Sequence, residues 1–302
     1  MEQFRCGLSN DQETVREIIG VCRVTASGSF CTLAGRLDMP FAKRLRLYIF
    51  LLVLVAASVT SAAEPAGIVL LHGKQGSPKA AHFRSLVAAF HNEGILISVP
   101  EMPWSGGRIY DQSYEAAMTE IDDAINQLRA RGAKKVFVAG HSLGANAALH
   151  YATRTSVDGV LALAPGHVPD QRGFQDSLAD SLQRAKNMVR DGKGDEKAIF
   201  DDNNQGERFT VQTTAKIYLS YMDSEGPAVI PKSAAALKPG TPLLWVVGTR
   251  DGMYKRGSSY AFDKAPPHPK SKYVVINSDH RGTPADARNE IIAWLRDLRE
   301  RD

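Results

Sequence analysis

A serine hydroxyl becomes a useful nucleophile only where a base lies beside it and developing negative charge is stabilised. Residues 136–146 could supply that setting. The apolar run Val136-Phe137-Val138-Ala139 stops at Gly140-His141-Ser142-Leu143-Gly144, and a small-residue run, Ala145 to Ala152, follows directly. This reads as strand, tight turn, helix. Such a turn lifts Ser142 to the open end of a sheet, beside a helix N-terminus with unpaired N–H groups and the positive dipole end. Gly140 and Gly144 suit it because side chains there would collide with the neighbouring strand and helix. Further reactive side chains follow other apolar runs: His72-Gly73, Asp251 within Thr249-Arg250-Asp251-Gly252, and Asp279-His280.

The elements that must gather these residues are read from periodicity. Buried-type apolar runs predict six strands near 67–71, 95–99, 136–139, 157–163, 243–247 and 273–276, all without the alternation of a half-exposed sheet. Between them lie helical patterns. Ser77 and Pro78 open one whose face is Phe83, Leu86, Val87 and Phe90, stopped by Gly94. Tyr114, Met118, Ile121, Ile125 and Leu128 mark a second, ended by Gly132, and Thr283-Pro284 opens a last one with Ile291, Leu295 and Leu298 inward. Alternation of this kind implies parallel pairing with right-handed crossovers, and a working surface at the carboxyl ends of the strands. The fold class is therefore α/β: a mostly parallel six-stranded sheet flanked by helices. The alternation breaks at 167–240, before the penultimate strand. This helical insertion is expected to hold two amphipathic helices, one with Phe174, Leu178, Leu182, Ala185 and Val189, the other with Val211, Tyr218 and Met222, separated by a charged loop over 191–208.

The first sixty residues read differently. Lys43, Arg44 and Arg46 precede the apolar stretch Leu47 to Val55, and Ser61-Ala62-Ala63 precedes Glu64-Pro65. Basic, apolar, small is the order of a secretory signal, here over 39–63 with cleavage expected after Ala63. Met39 stands just ahead of the basic residues, so 1–38 are expected to derive from an upstream start and to be absent from the working protein; an uncleaved anchor is the alternative. The expected location is periplasmic or secreted, with no stable membrane span after cleavage. All three cysteines, Cys6, Cys22 and Cys31, precede that cleavage point, which leaves 64–302 without a disulfide or a cysteine-based metal site. The net charge of +4 falls to +2 once the leader is removed, and this balance argues against a nucleic-acid partner.

The order Ser142, Asp251, His280, with the glycine-flanked serine and the early His72-Gly73, resembles the α/β-hydrolase superfamily of serine hydrolases, in its small exported esterase and lipase form. The likeness runs from Gly67 to about Arg299. No counterpart of the superfamily's first two strands precedes Gly67, so the chain resembles a reduced, all-parallel core. The resemblance implies that His280 takes the Ser142 proton as the oxygen attacks an acyl carbonyl and returns it to the leaving group, while Asp251 orients the imidazole. It also implies that the backbone N–H groups of Leu143 and Lys74 hold the oxyanion, with His72 and Gly73 shaping that loop.

Asp223, Asp263 and Asp279 are rival acids. Among the histidines, His268 lies in a stiff Pro266-Pro267-His268-Pro269 segment, and His82, His91 and His150 fall in helices read as remote from the strand ends. His141 is expected beneath the turn. The expected substrate is a small-molecule carboxylic ester; a thioesterase, peptidase or cofactor-free perhydrolase on the same fold, or a non-enzymatic envelope binder, are the alternatives. Specificity is assigned to the 167–240 insertion, as lid or acyl-chain wall, and to the loop at 100–111. Trp104, Tyr110, His167 and Tyr218 are candidate pocket residues, and Arg108 and the Lys74 side chain are candidate charge sensors. No metal and no other cofactor is expected: the histidines lack ligand spacing, and Gly73-Lys74-Gln75-Gly76-Ser77 lacks that of a phosphate loop. Oligomeric state is not legible here.

Overall fold

The computed structural model describes residues 63–300. The 39–63 signal segment, except its last residue, the 1–38 extension and the three cysteines lie outside the described residues.

Six strands form one parallel sheet: β1 (Ala66–Leu71), β2 (Leu96–Ser98), β3 (Lys135–Ser142), β4 (Gly159–Pro165), β7 (Leu243–Gly248) and β8 (Lys272–Ile276), in the order β2-β1-β3-β4-β7-β8. β1, β3, β4 and β7 are buried along almost their whole length, as both-face coverage demands. The edge strands β2 and β8 are only half-buried, with Val275 exposed, so the expectation of six fully buried runs fails at the two edges. An edge strand has a covering neighbour on one side only.

Two apolar layers enclose the sheet. On one face pack Phe83, helix α1 (Arg84–Asn92) through Leu86 and Phe90, and the C-terminal helices α8 (Thr283–Asp286) and α9 (Arg288–Arg299) through Ile291, Trp294 and Leu295. On the other lie α2 (Tyr114–Ala130), its start capped by Ser113 Oγ, and α3 (Leu143–Arg154), the small-residue helix that follows Ser142. The helix expected from Ser77 starts later: 77–80 form a turn, and a single 3-10 turn, Ala81–Phe83, leads into α1. Gly76 N donates to Gly73 O at 2.9 Å and Ala80 N to Ser77 O at 3.2 Å, so turns occupy the stretch before the helix.

The insertion departs further from expectation. After α4 (Arg172–Ser177) and α5 (Ala179–Arg190) comes an antiparallel hairpin, β5 (Lys197–Asn204) and β6 (Glu207–Thr214), where a charged loop and part of a helix are expected. Its turn, Gln205-Gly206, has φ of 54° and 87°, the paired positive values of a tight hairpin turn. Only then follow α6 (Ala215–Met222) and α7 (Ile230–Ala235). Leu178, Leu182, Ala185, Tyr218 and Met222 of the two apolar stripes are buried in the main core, with Phe174 partly buried against it. Among the described residues no helix is long and apolar enough to cross a membrane.

Candidate active site

Parallel register brings the candidate residues together. β1 pairs with β3 so that Leu71 stands opposite Gly140, and the next residues, His72-Gly73-Lys74, emerge beside Ser142. β2 lies on the far side of β1, so this is also where strand order reverses, the crevice in which open α/β sheets bind ligands. β7 pairs with β8 so that Gly248 faces Ile276, and Arg250 N donates to Ser278 O at 2.9 Å; Asp251 and His280 thus leave adjacent strands side by side. β4 completes the set by setting Pro165, and then Gly166, against Ser142.

Ser142 is held at φ 56°, ψ −120°, a backbone state that a non-glycine residue occupies at a cost of about 1–3 kcal/mol. The residues two before and two after it must be glycines. A Cβ on Gly140 would lie 2.1 Å from the Gly144 carbonyl, and one on Gly144 would lie 2.4 Å from Leu71 O. His280 Nδ1 donates to Asp251 Oδ2 at 2.7 Å, while Asp251 Oδ1 accepts from Met253 N at 2.8 Å, so the carboxylate is fixed at both oxygens and buried. Among the described residues none of the rival acids hydrogen-bonds to the His280 imidazole. Asp279 accepts from Gly282 N, Asp263 from Ser258 Oγ, and Asp223 from Glu225 N.

A Cβ built on Gly166 would stand 2.7 Å from Ser142 Oγ and 3.3 Å from His280 Cε1. Hydroxyl and imidazole therefore both come close to the bare Cα of Gly166, and are separated by no more than the sum of these distances. Cε1 lies between the two ring nitrogens, and Nδ1 is taken by Asp251, which leaves the Nε2 side for the serine. No hydrogen bond joins Ser142 Oγ to another described residue; such contacts are commonly long before a substrate is seated.

Leu143 opens α3, so its N–H is among those with no intrahelical acceptor. The Lys74 N–H has no acceptor among the described residues, although its loop is otherwise well tied. His72 is buried and neutral by bonding logic. Its Nε2 accepts from Met102 N at 3.1 Å, so Nδ1 carries the proton and donates to Gly73 O at 2.9 Å. Burial lowers its pKa in the same sense.

His141 lies beneath the turn, donating through Nε2 to the His280 carbonyl at 2.8 Å. Burial holds its pKa well below the usual value, and the neighbouring His280 ring pushes it the same way. His82, read as remote, is the correction here: its ring lies 5.0 Å from that of His141, because the 3-10 turn Ala81–Phe83 brings it beside the strand end that carries Ser142.

A cavity of about 340 Å³ opens over Ser142, His280 and Asp251, walled by Lys74, Gly166, His167, Phe174, the hairpin residues Asn203 to Gln205, Met253 and Arg256. Of the four candidate pocket residues only His167 reaches it. Its Nε2 donates to Tyr221 O at 2.7 Å, and burial, with help from the Lys74 charge, lowers its pKa to about 3. Trp104, Tyr110 and Tyr218 are buried in the core and line no part of the cavity. Trp104 Nε1 donates to His72 O, Tyr110 OH to Asp202 Oδ2 and Tyr218 OH to Asp201 O, each at 2.7 Å; they fasten loop and insertion together. Arg108 is engaged by Glu120 and Asp111 and is likewise absent from the cavity wall. Gly166, Asn203 to Gln205 and Arg256 are not legible as site residues in the sequence, whereas Phe174 belongs to the stripe read there as lid or acyl-chain wall. The hairpin members had one signal, the alternation of Phe200, Asp202 and Val211, Thr213 about Gln205-Gly206. Among the described residues no cluster of three His, Cys, Asp or Glu side chains could hold a metal.

Residues 68–293 match the alpha/beta hydrolase family. The chain belongs to that family. No curated protein sequence matches it. Solved structures similar to it include a monoacylglycerol lipase from Paleococcus ferrophilus, at 22% identity and TM-score 0.55, covering 78% of this chain and 96% of that one. A siderophore hydrolase from Aspergillus fumigatus aligns at 12% identity and TM-score 0.59, over 81% and 94% of the two chains. Est1E from Butyrivibrio proteoclasticus, solved with ferulic acid bound, aligns at 15% and 0.52, over 80% and 92%. At these identities the likeness shows the fold alone.

Proposed function

We propose that this member of the alpha/beta hydrolase family is a serine hydrolase that cleaves carboxylic esters through Ser142, His280 and Asp251 and an acyl-enzyme intermediate. The observation that carries the reading is the 2.7 Å His280–Asp251 bond, set beside a serine held at positive φ over an open cavity. His280 Nε2 takes the proton as Ser142 Oγ adds to the ester carbonyl, and the Leu143 and Lys74 N–H groups receive the oxyanion. The protonated imidazole, stabilised by Asp251, gives its proton to the departing alcohol. Water then enters, His280 takes a proton from it, and the acid product leaves as Ser142 is restored.

A fluorophosphonate probe tests this directly. Wild-type protein should be labelled and should hydrolyse p-nitrophenyl acetate, and Ser142→Ala should lose both while keeping its thermal midpoint. Turnover that survives in Ser142→Ala would refute the assignment.

Export through the 39–63 signal is part of the same proposal, supported by the basic, apolar and small-residue order of that segment. N-terminal sequencing of the protein from its native cell should begin at Glu64; a chain beginning at Met1 would overturn it.

A further inference from the structure

One buried ion pair lies outside the three residues assigned to the chemistry. Lys74 Nζ donates to Asp202 Oδ1 at 2.6 Å and to Asn203 O at 2.9 Å, with the two side chains only 3% and 0% exposed. Asp202 is filled on every side: Oδ1 also accepts from Asn203 N, and Oδ2 accepts from Tyr110 OH, both at 2.7 Å. The pair joins two parts of the chain 128 residues apart, the loop after β1 and the inward face of hairpin β5–β6.

A fully buried ion pair contributes little net stability, and apolar replacement of both partners is often neutral or stabilising. What this one does is fix a single residue. The peptide between Gly73 and Lys74 is held at its carbonyl end, where Gly73 O accepts from Gly76 N and from His72 Nδ1, each at 2.9 Å. Its N–H, that of Lys74, has no acceptor among the described residues, and the Gly73 side of the peptide lies against Ser142, where a Cβ on Gly73 would stand 3.1 Å from Ser142 Cβ. The following residue, Gln75, sits at φ 54° and donates to Trp104 O at 2.8 Å. Between these tethers the Cα of Lys74 is anchored through its own side chain, and the anchor is the hairpin.

We infer that Lys74 and Asp202 are positioning residues for the oxyanion hole, through which the insertion's hairpin holds the Lys74 backbone N–H in line with the substrate carbonyl. This deepens the serine-hydrolase reading above and rests on it. The loop geometry is thereby made dependent on the same hairpin that walls the cavity with Asn203, Asn204 and Gln205, so recognition and oxyanion stabilisation share one support. Losing an oxyanion donor outright costs about 10²–10³ in kcat, and loosening one costs a fraction of that.

The test uses Asp202→Asn, and Lys74→Met/Asp202→Leu/Tyr110→Phe, which replaces the whole polar cluster by apolar groups of similar size. Both keep the Lys74 N–H itself. With p-nitrophenyl acetate, kcat should fall by about 10- to 100-fold while KM stays within about twofold, the pattern of an interaction made in the transition state. Affinity for an alkyl boronic acid, which binds as a tetrahedral adduct, should weaken in proportion to kcat/KM. A purely structural pair would lower the thermal midpoint of Asp202→Asn without this split. Wild-type kcat and boronate affinity in either folded variant, while Ser142→Ala is inactive, would overturn the inference alone. Full activity in Ser142→Ala would overturn the serine-hydrolase reading and this inference with it.

Discussion

Gly166 offers the sharpest probe of the site, because a single methyl group there would crowd both of the groups that exchange a proton in the proposed mechanism. In Gly166→Ala the new Cβ would sit 2.7 Å from Ser142 Oγ, 3.3 Å from His280 Cε1 and 3.5 Å from Ser142 Cα. Optimal carbon contacts begin near 3.5 Å, so the hydroxyl must rotate or the ring must retreat. Rotating a side chain ~30° from its well costs only about 0.5–1.5 kcal/mol, and the lost glycine entropy returns about 0.4–1 kcal/mol. Stability should hardly change. Reactivity should change greatly, since displacing a reacting atom by ~1 Å costs on the order of 10²-fold, or about 2.7 kcal/mol of barrier at ~1.36 kcal/mol per tenfold. The assay is ester turnover and fluorophosphonate labelling at matched thermal midpoints, with both rates expected to fall about a hundredfold together. A folded Gly166→Ala protein with wild-type rates would show that the serine and the imidazole do not work across this glycine.

Asp251→Asn should lower kcat by about 10⁴, because an amide leaves His280 in the wrong tautomer, and the loss is read from single-turnover kinetics with little change in thermal midpoint. Gly144→Ala should fail at the level of folding: its Cβ would lie 2.4 Å from Leu71 O and 2.7 Å from His72 O, backbone atoms that cannot step aside. Soluble expression and circular dichroism check this, and a stable variant would refute the close approach of α3 to β1. Acid should destabilise the fold. His141 and His167 have folded pKa values below the unfolded 6.5, His167 near 3, so below about pH 6.5 the unfolded chain binds more protons than the folded one and stability falls with pH. Each such histidine contributes at most about 1.4 kcal/mol per pH unit in that window, and His141→Gln, if folded, should flatten the slope in urea melts between pH 6.5 and 4.

How much of this was legible in the sequence follows the physics of each element. The central strands were readable because burial on both faces demands continuous apolar runs, as in Ile68-Val69-Leu70-Leu71 and Leu243 to Val247. Each strand end could be matched to the reactive residue that follows it, so the order Ser142, Asp251, His280 was visible before any distance was. The hairpin was not, because its outward residues, among them Lys197, Glu207, Arg208 and Gln212, are those of a polar loop, and one inward position carries an aspartate.

That aspartate shows why the rest stayed hidden. Composition marks Asp202 as a solvent residue, and only pairing puts it inside. Phe200 opposite Val211 fixes the register, period two then turns Asp202 to the same face, and the partner it meets is a lysine 128 residues earlier. Gly166 is hidden for the same reason, since its importance comes from the Ser142–Pro165 pairing across two strands and not from any motif around it. In this chain local pattern marks the candidate reacting groups, whereas the features proposed to keep them in line depend on strand register. A one-residue slip of β6 against β5 would turn Val211 away from Phe200 and loosen the face from which Asp202 reaches Lys74.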